Sequence, residues 1–343
     1  MGISPPSARR RRGTRPTVFT VQTFHRVLIT GAAGFAGSFL AEELVTAGYE
    51  VVGTRVRGES DENLTGVRSK VDLRFLDLRS RQSIERLLRE VRPQAVFHLA
   101  AYSSVGASFA DPALPMAVNF GGTLNLLEVF RVDPRLRREL QAILAVGSSD
   151  MYGRVRRADL PLTEDQPLAP VSPYAISKAA VDFLAATYHR AYGLPIIRVR
   201  AFNHAGPRQR TGFVIPDFAV QIARLERKPG KRALKTGGLS ARRDVTDVRD
   251  VAAAYRLLAE RGAPGEVYHV GSGRAISIHG ILNAMLRMAQ RPIEIVRDPH
   301  LSRPVEVPVL QADISKLKRL GWQPNIPLKQ TLSDTLDYYR SRI

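Results

Sequence analysis

The chain has 343 residues, 44% hydrophobic and 24% charged, with no cysteine and a formal charge of +19. That length carries one large α/β domain with a substantial lobe, and the composition is that of an ordinary soluble globular protein. The missing cysteine excludes a disulfide framework and a thiolate metal site and suits a reducing cytoplasm, and no apolar run approaches the roughly 20 residues of a membrane span.

Residues 1–24 read as a disordered basic arm, with five charges from Arg9 to Arg12 and Arg15. Val18 to Val21 is too short for a signal-peptide core. Basic arms bind nucleic acid, but the other arginines are scattered through helices instead of grouping with aromatics. The charge therefore points to an anionic ligand and away from nucleic acid.

Val27 to Thr30 reads as a short buried strand, and Gly31, Gly34 and Gly37 follow it. Ser38 to Ala47 then shows helical periodicity, closed by Gly48. Strand, glycine turn and helix together make a dinucleotide site: the backbone touches a pyrophosphate whose charge sits at the helix N-terminus. Tyr49 to Thr54 is a second strand. Its end offers Thr54, Arg55 and Arg57 to the adenosine ribose, with no carboxylate before Glu59. Cations there favour a 2′-phosphate, so NADP(H) is favoured over NAD(H).

Leu73 to Leu76 forms a third strand, followed by Asp77, placed to meet an adenine amino group, and Leu78. Ser80 caps the next helix. Ala95 to Leu99 is a fourth strand whose end, Leu99, Ala100, Ala101 and Tyr102, leaves room for a cofactor; His98 reads as a packed core histidine. An apolar-faced helix begins at Asn119. The fifth strand, Ala142 to Val146, empties into Ser148, Asp150 and Tyr152. Ser172 and Pro173 start a helix carrying Tyr174 and Lys178 one turn apart on one face. Leu194 to Val199 is the sixth strand. This alternation predicts an α/β, Rossmann-type doubly wound parallel sheet over 25–205. From 206 to 343 the pattern changes to helices at Ile215–Arg227, Val248–Arg261, Ile278–Met288 and Leu328–Ser341, with short strands at Val267–Val270 and Ile293–Val296. That predicts a smaller, partly interleaved C-terminal α/β lobe.

A phenol titrates near pH 10, and a nearby ammonium stabilises its phenolate. Tyr174 beside Lys178, with Ser148 bonding the reacting oxygen, suits hydride transfer at a carbonyl or carbinol. Catalytic candidates are Ser148, Asp150, Tyr174 and Lys178, and no metal is called for.

The motifs TGAAGFAG, HLAA, GSSDMYG, SPYAISK and FNHAGPRQ, in this order, resemble the extended short-chain dehydrogenase/reductase family acting on nucleotide sugars. The resemblance implies NAD(P) in the first domain, a nucleoside-diphosphate sugar in the C-terminal lobe and a Ser–Tyr–Lys trio. It adds Phe35, Ala36 and Arg200 to the cofactor contacts and has Lys178 hold the nicotinamide ribose. For the sugar nucleotide it implies Ser103, Ser104, Asn119, Asn203, Arg208, Val214, Arg243 and Arg303, with Glu306 on the ribose. Arginine suits a diphosphate because its planar fork grips oxygens in pairs.

The segment Gly237 to Tyr255 is similar to GDP-6-deoxy-4-keto-mannose reductases, which make GDP-rhamnose. Related GDP-mannose 4,6-dehydratases usually carry a glutamate where this chain has Asp150, a side chain one methylene shorter. The expected substrate is thus a GDP-sugar. A dehydratase and a nucleotide-sugar 4-epimerase stay open as alternatives, as do an NAD(P)-sensing scaffold and a nucleic-acid binder. Resemblance also implies a homodimer through a four-helix interface of Leu114–Phe130 and the helix from Pro173.

Overall fold

The computed structural model describes residues 23–301 and 307–343. The first half alternates strand and helix: β1 (Arg26–Thr30), α1 (Phe35–Thr46), β2 (Glu50–Arg55), β3 (Val71–Phe75), α2 (Arg81–Val91) and β4 (Ala95–His98). A single turn α3 (Ala113–Pro115) then passes through a π turn, Met116–Gly121, into α4 (Gly122–Val132). After α5 (Pro134–Glu139) come β5 (Ala142–Val146), α6 (Pro173–Tyr192) and β6 (Ile196–Ala201). The six strands read from the sequence here all form, with ends moved by at most two residues.

The second half holds β7 (Asn203–Ala205), α7 (Val214–Arg227), β8 (Ala233–Thr236), β9 (Arg242–Asp247), α8 (Val248–Arg261), β10 (Val267–Val270) and β11 (Ala275–Ser277). It ends with α9 (Ile278–Leu286), β12 (Glu294–Arg297), β13 (Val309–Leu310), α10 (Ser315–Lys318) and α11 (Leu328–Arg340).

Seven strands form one parallel sheet in the order β10-β6-β5-β4-β1-β2-β3. β10 comes from the second half of the chain and pairs with β6, Val270 opposite Ala201. The order reverses between β1 and β4, and in open α/β sheets that reversal opens a crevice at the strands' carboxyl ends. Helices cover both faces. One face packs Leu40 and Leu44 of α1 with Val251, Tyr255 and Leu258 of α8. The other packs Ile84 and Leu88 of α2, Leu126 and Phe130 of α4 and Ala185 of α6. Each leucine, isoleucine, valine or phenylalanine among them, fully buried, is worth about 1.5–3 kcal/mol.

A third core lies in the second half, where Phe218, Ile222, Ile281, Leu282, Leu332 and Leu336 interlock α7, α9 and α11. Strand β9 was not read from the sequence because RRDVTD is too charged to look buried. Its aspartates have internal partners: Asp244 accepts from the backbone N–H of Ser272, Gly273 and Ala312. Asp250, on α8, accepts from Asn325 and Ile326. Asp247 pairs with Arg249, 2.8 Å away. No helix among the described residues is long and apolar enough to cross a membrane.

Candidate active site

The glycine turn forms the floor of a cradle. Gly31 takes φ of +74°, which a side chain disfavours. A Cβ on Gly37 would stand 2.1 Å from the Gly31 carbonyl oxygen, so the turn closes only around glycine. Across the reversal, Ala100 touches this turn, its N–H bonded to Thr30 Oγ1 at 3.1 Å. Phe35, Ala36 and Gly37 open α1, whose free N–H groups face the cradle. This backbone fits a dinucleotide pyrophosphate.

Thr54 is placed otherwise than expected: buried, it accepts from the Gly31 N–H at 3.2 Å and braces the turn instead of facing the ribose. Arg55 and Arg57 do gather, 4.9 and 5.4 Å from the centroid of Phe75, which is half exposed at the end of β3. Arg55 is also engaged by the Glu59 carbonyl at 2.7 Å and by Asp61 at 3.7 Å, so Arg57 is the cation on this aromatic platform best suited to a 2′-phosphate. Asp77 keeps its carboxylate ionised through Arg79, 2.8 Å away, and Leu78 is buried beside it. Leu99, Ala101 and Tyr102 line the β4 end half-buried. His98 is a core residue as expected, bridging Thr30 and Thr123 at 2.9 and 3.0 Å; burial and the Lys178 charge push it down to about 3.

Ser148 follows β5, and Ser172 and Pro173 start α6, the Ser172 hydroxyl accepting from Ala175 N–H. The Ser148 hydroxyl lies close enough to the Tyr174 phenol to lower its pKa. It also sits 3.4 Å from an Asp150 carboxylate oxygen, while Asp150 N–H donates back to it at 3.2 Å. Burial raises the Tyr174 pKa and the Asp150 carboxylate raises it further, against the Ser148 bond, which lowers it. Lys178 is buried, donates to the Val146 carbonyl at 2.8 Å, and is pushed down to about 8 by burial. The four residues expected to do chemistry thus converge at the β5 and α6 ends, above the crevice.

The expected sugar-nucleotide residues divide. Ser103, Ser104, Asn203 and Val214 lie partly or fully exposed around the cleft, Ser104 capping a turn at Ala107. Asn119 does not face a ligand: it is buried on the π turn, bonded to Tyr102 N–H and C=O at 2.8 and 3.1 Å and to Ser177 at 2.9 Å. Arg208 is committed to α1, 2.7 Å from Glu42 and stacked 4.5 Å from the centroid of Phe39. Arg243 donates to the Val307 carbonyl at 2.8 Å. Arg303 and Glu306 lie outside the described residues. Arg200, expected among the cofactor contacts, is buried against Asp182 at 3.0 Å.

Arg210 was missed. It is exposed, its guanidinium reaching across the cleft to the Ser103 hydroxyl at 3.2 Å, and among the described residues no carboxylate pairs with it. The signal was present as a second arginine two places after Arg208. Ser108 was missed too; buried, it accepts from the Tyr174 N–H at 3.3 Å.

A family model described as GDP-mannose 4,6 dehydratase matches residues 28–335. The chain belongs to this family. Within it, the chain is 34% identical over 319 residues to the GDP-6-deoxy-D-mannose reductase of Pseudomonas aeruginosa, covering 93% of this chain and 98% of the relative. The solved structure of RMD from Pseudomonas aeruginosa complexed with NADPH superposes with a TM-score of 0.78 at 32% identity, over 93% of this chain and all of that one. The Thermus thermophilus UDP-glucose 4-epimerase complex with NAD gives 0.81 at 31%, again over 93% and 100%. Extended short-chain dehydrogenase/reductase enzymes of this kind combine one cofactor cradle with different sugar chemistries. This chain shares their fold.

Proposed function

We propose that the chain is a cytoplasmic NADPH-dependent reductase of the 4-keto group of GDP-4-dehydro-6-deoxy-D-mannose, giving GDP-D-rhamnose. The observation that carries this reading is the complete trio at the crevice of a chain similar to the Pseudomonas reductase along nearly its whole length. The Gly31–Gly37 cradle would hold NADPH, which would supply the hydride when bound there. Ser148 hydrogen-bonds the keto oxygen, and Tyr174, kept protonated by burial and by Asp150, delivers the proton to it as charge develops. Lys178 stands behind as the cation that supports the resulting phenolate. In the lobe, 206–343, Arg210 would grip the diphosphate opposite Ser103, whose hydroxyl it already reaches.

The Asp150 carboxylate beside Ser148 also favours a second reading, a GDP-mannose 4,6-dehydratase needing one more acid/base group. One assay separates them. Purified protein with the keto sugar is expected to oxidise NADPH stoichiometrically, and Tyr174→Phe to lower kcat by about 10²–10⁴-fold. Keto-sugar formation from GDP-mannose without net cofactor oxidation would establish the dehydratase instead. We further infer a homodimer through the α4 and α6 surfaces, where Ile176 and Phe183 of α6 are 49% and 60% exposed.

A further inference from the structure

Behind the trio lies a buried polar cluster that the chemistry above does not use. Arg200, on β6, is 5% exposed. Its Nε and Nη2 donate to the Asp182 carboxylate at 3.3 and 3.0 Å. Its Nη1 donates to the Tyr152 phenol at 2.7 Å and to the Glu164 carbonyl at 2.8 Å. Asp182 also accepts from Arg198 at 3.0 Å. The Tyr152 oxygen is 2.5 Å from His269 Nε2, and His269 Nδ1 is 3.2 Å from the Asp313 carbonyl.

The directions in this chain are fixed by what each atom can do. A carbonyl only accepts, so His269 Nδ1 carries its proton and Nε2 accepts from Tyr152 as the nearer of the two acceptors its phenol meets, the Thr163 carbonyl lying 3.3 Å away. The Tyr152 oxygen in turn accepts from Arg200. Burial pushes His269 down to about 3 and Tyr152 up to about 12, so neither changes charge across neutral pH. The cluster is a fixed strut, not a relay. A buried ion pair of this kind is weak evidence for stability, since apolar packing often does as well.

Its ends identify what it holds. Asp182 lies on α6, one turn after Lys178 and two after Tyr174. Tyr152 closes the turn Ser149–Tyr152 that begins beside Ser148 and contains Asp150. We propose that Arg200 and Tyr152 are positioning residues that fix the Ser148–Asp150 loop against the Tyr174–Lys178 helix. The proposal rests on the trio being the chemical centre. Misplacing a reacting group by about 1 Å costs on the order of 10²-fold in rate, so a strut between its two halves governs turnover more than binding.

Tyr152→Phe removes one oxygen and keeps the ring. It is expected to lower kcat about tenfold while KM for the sugar and Kd for NADPH stay within about twofold. Arg200→Met is expected to lose more, and Arg200→Lys to recover part of it, since lysine keeps the charge but not the fork. In crystals of Tyr152→Phe with NADPH, Ser148 Oγ is expected to move relative to Tyr174 by more than about 0.5 Å. An unchanged kcat with an unmoved loop overturns the proposal. So does a loss explained by a smaller folded fraction in thermal melts, with the folded remainder fully active. A wild type that turns over neither the keto sugar nor GDP-mannose overturns the functional reading instead, and the Tyr152→Phe crystals then decide the positioning role by themselves.

Discussion

Lys178 carries two opposed pH dependences. Its folded pKa of about 8 lies below the ordinary lysine value of 10.5, so between these two the unfolded chain binds more protons than the folded one. Stability therefore rises with pH across that window. The cation that supports the Tyr174 phenolate is lost as pH climbs through the same window, so kcat/KM falls there. Urea midpoints and kcat/KM at pH 7 and pH 9 should move in opposite directions, and parallel movement would refute this. Asp150 contributes separately by holding the Tyr174 pKa up. Asp150→Asn lowers that pKa, so the Tyr174 phenolate is expected to form at lower pH than in the wild type, which an ultraviolet difference titration against Tyr174→Phe reads directly. At the cofactor's other end, Arg57→Ala removes one of the two cations stacked on Phe75. It is expected to raise KM for NADPH about tenfold and leave KM for NADH nearly unchanged. Steady-state kinetics with both cofactors check it. The trio was legible because its chemistry restricts residue types. Arg210, Arg200 and Thr54 were not, since an arginine or threonine reads alike whether it meets a ligand, an aspartate or a backbone turn.

Among the elements, α6 does most to join chemistry to assembly. Tyr174, Lys178 and Asp182 recur every fourth residue on its buried face, while Ile176 and Phe183 stand on the face turned outward. The adjoining surface of α4 and its π turn presents the half-exposed Leu124 and Gly121. Tyr188 ties the two helices by donating to Glu128 at 2.6 Å. Phe183→Glu would place a charge in the inferred contact and is expected to yield monomers in sedimentation velocity at micromolar concentration. A wild type already monomeric there would rule the contact out. Helix α6 was readable because its cap, its proline and its apolar period all agree. The π turn was not, because it interrupts no hydrophobic pattern; it shifts the register that brings Asn119 onto Tyr102. Strand β9 was hidden for a related reason, since the buried charge of Asp244 is satisfied by backbone N–H groups distant in sequence.

For the whole molecule, the order of the main sheet matters more than its size. Val267 to Val270 of β10 are all buried and form the outermost parallel pair with β6. The cofactor half of the chain is therefore unfinished until the lobe has been written out. During synthesis on the ribosome, a nascent chain that has emerged only to β6 exposes an unpaired strand edge, Arg200 faces no His269-anchored tyrosine, and α8 is not yet there to cover α1. Such edges template aggregation. A fragment comprising 23–205 is expected to partition into the pellet on expression, and co-expression with 206–343 to restore soluble complex and NADPH binding. The interleaving thus acts as a checkpoint on length: a product that stops before Val270 leaves the cofactor half without the last strand of its sheet.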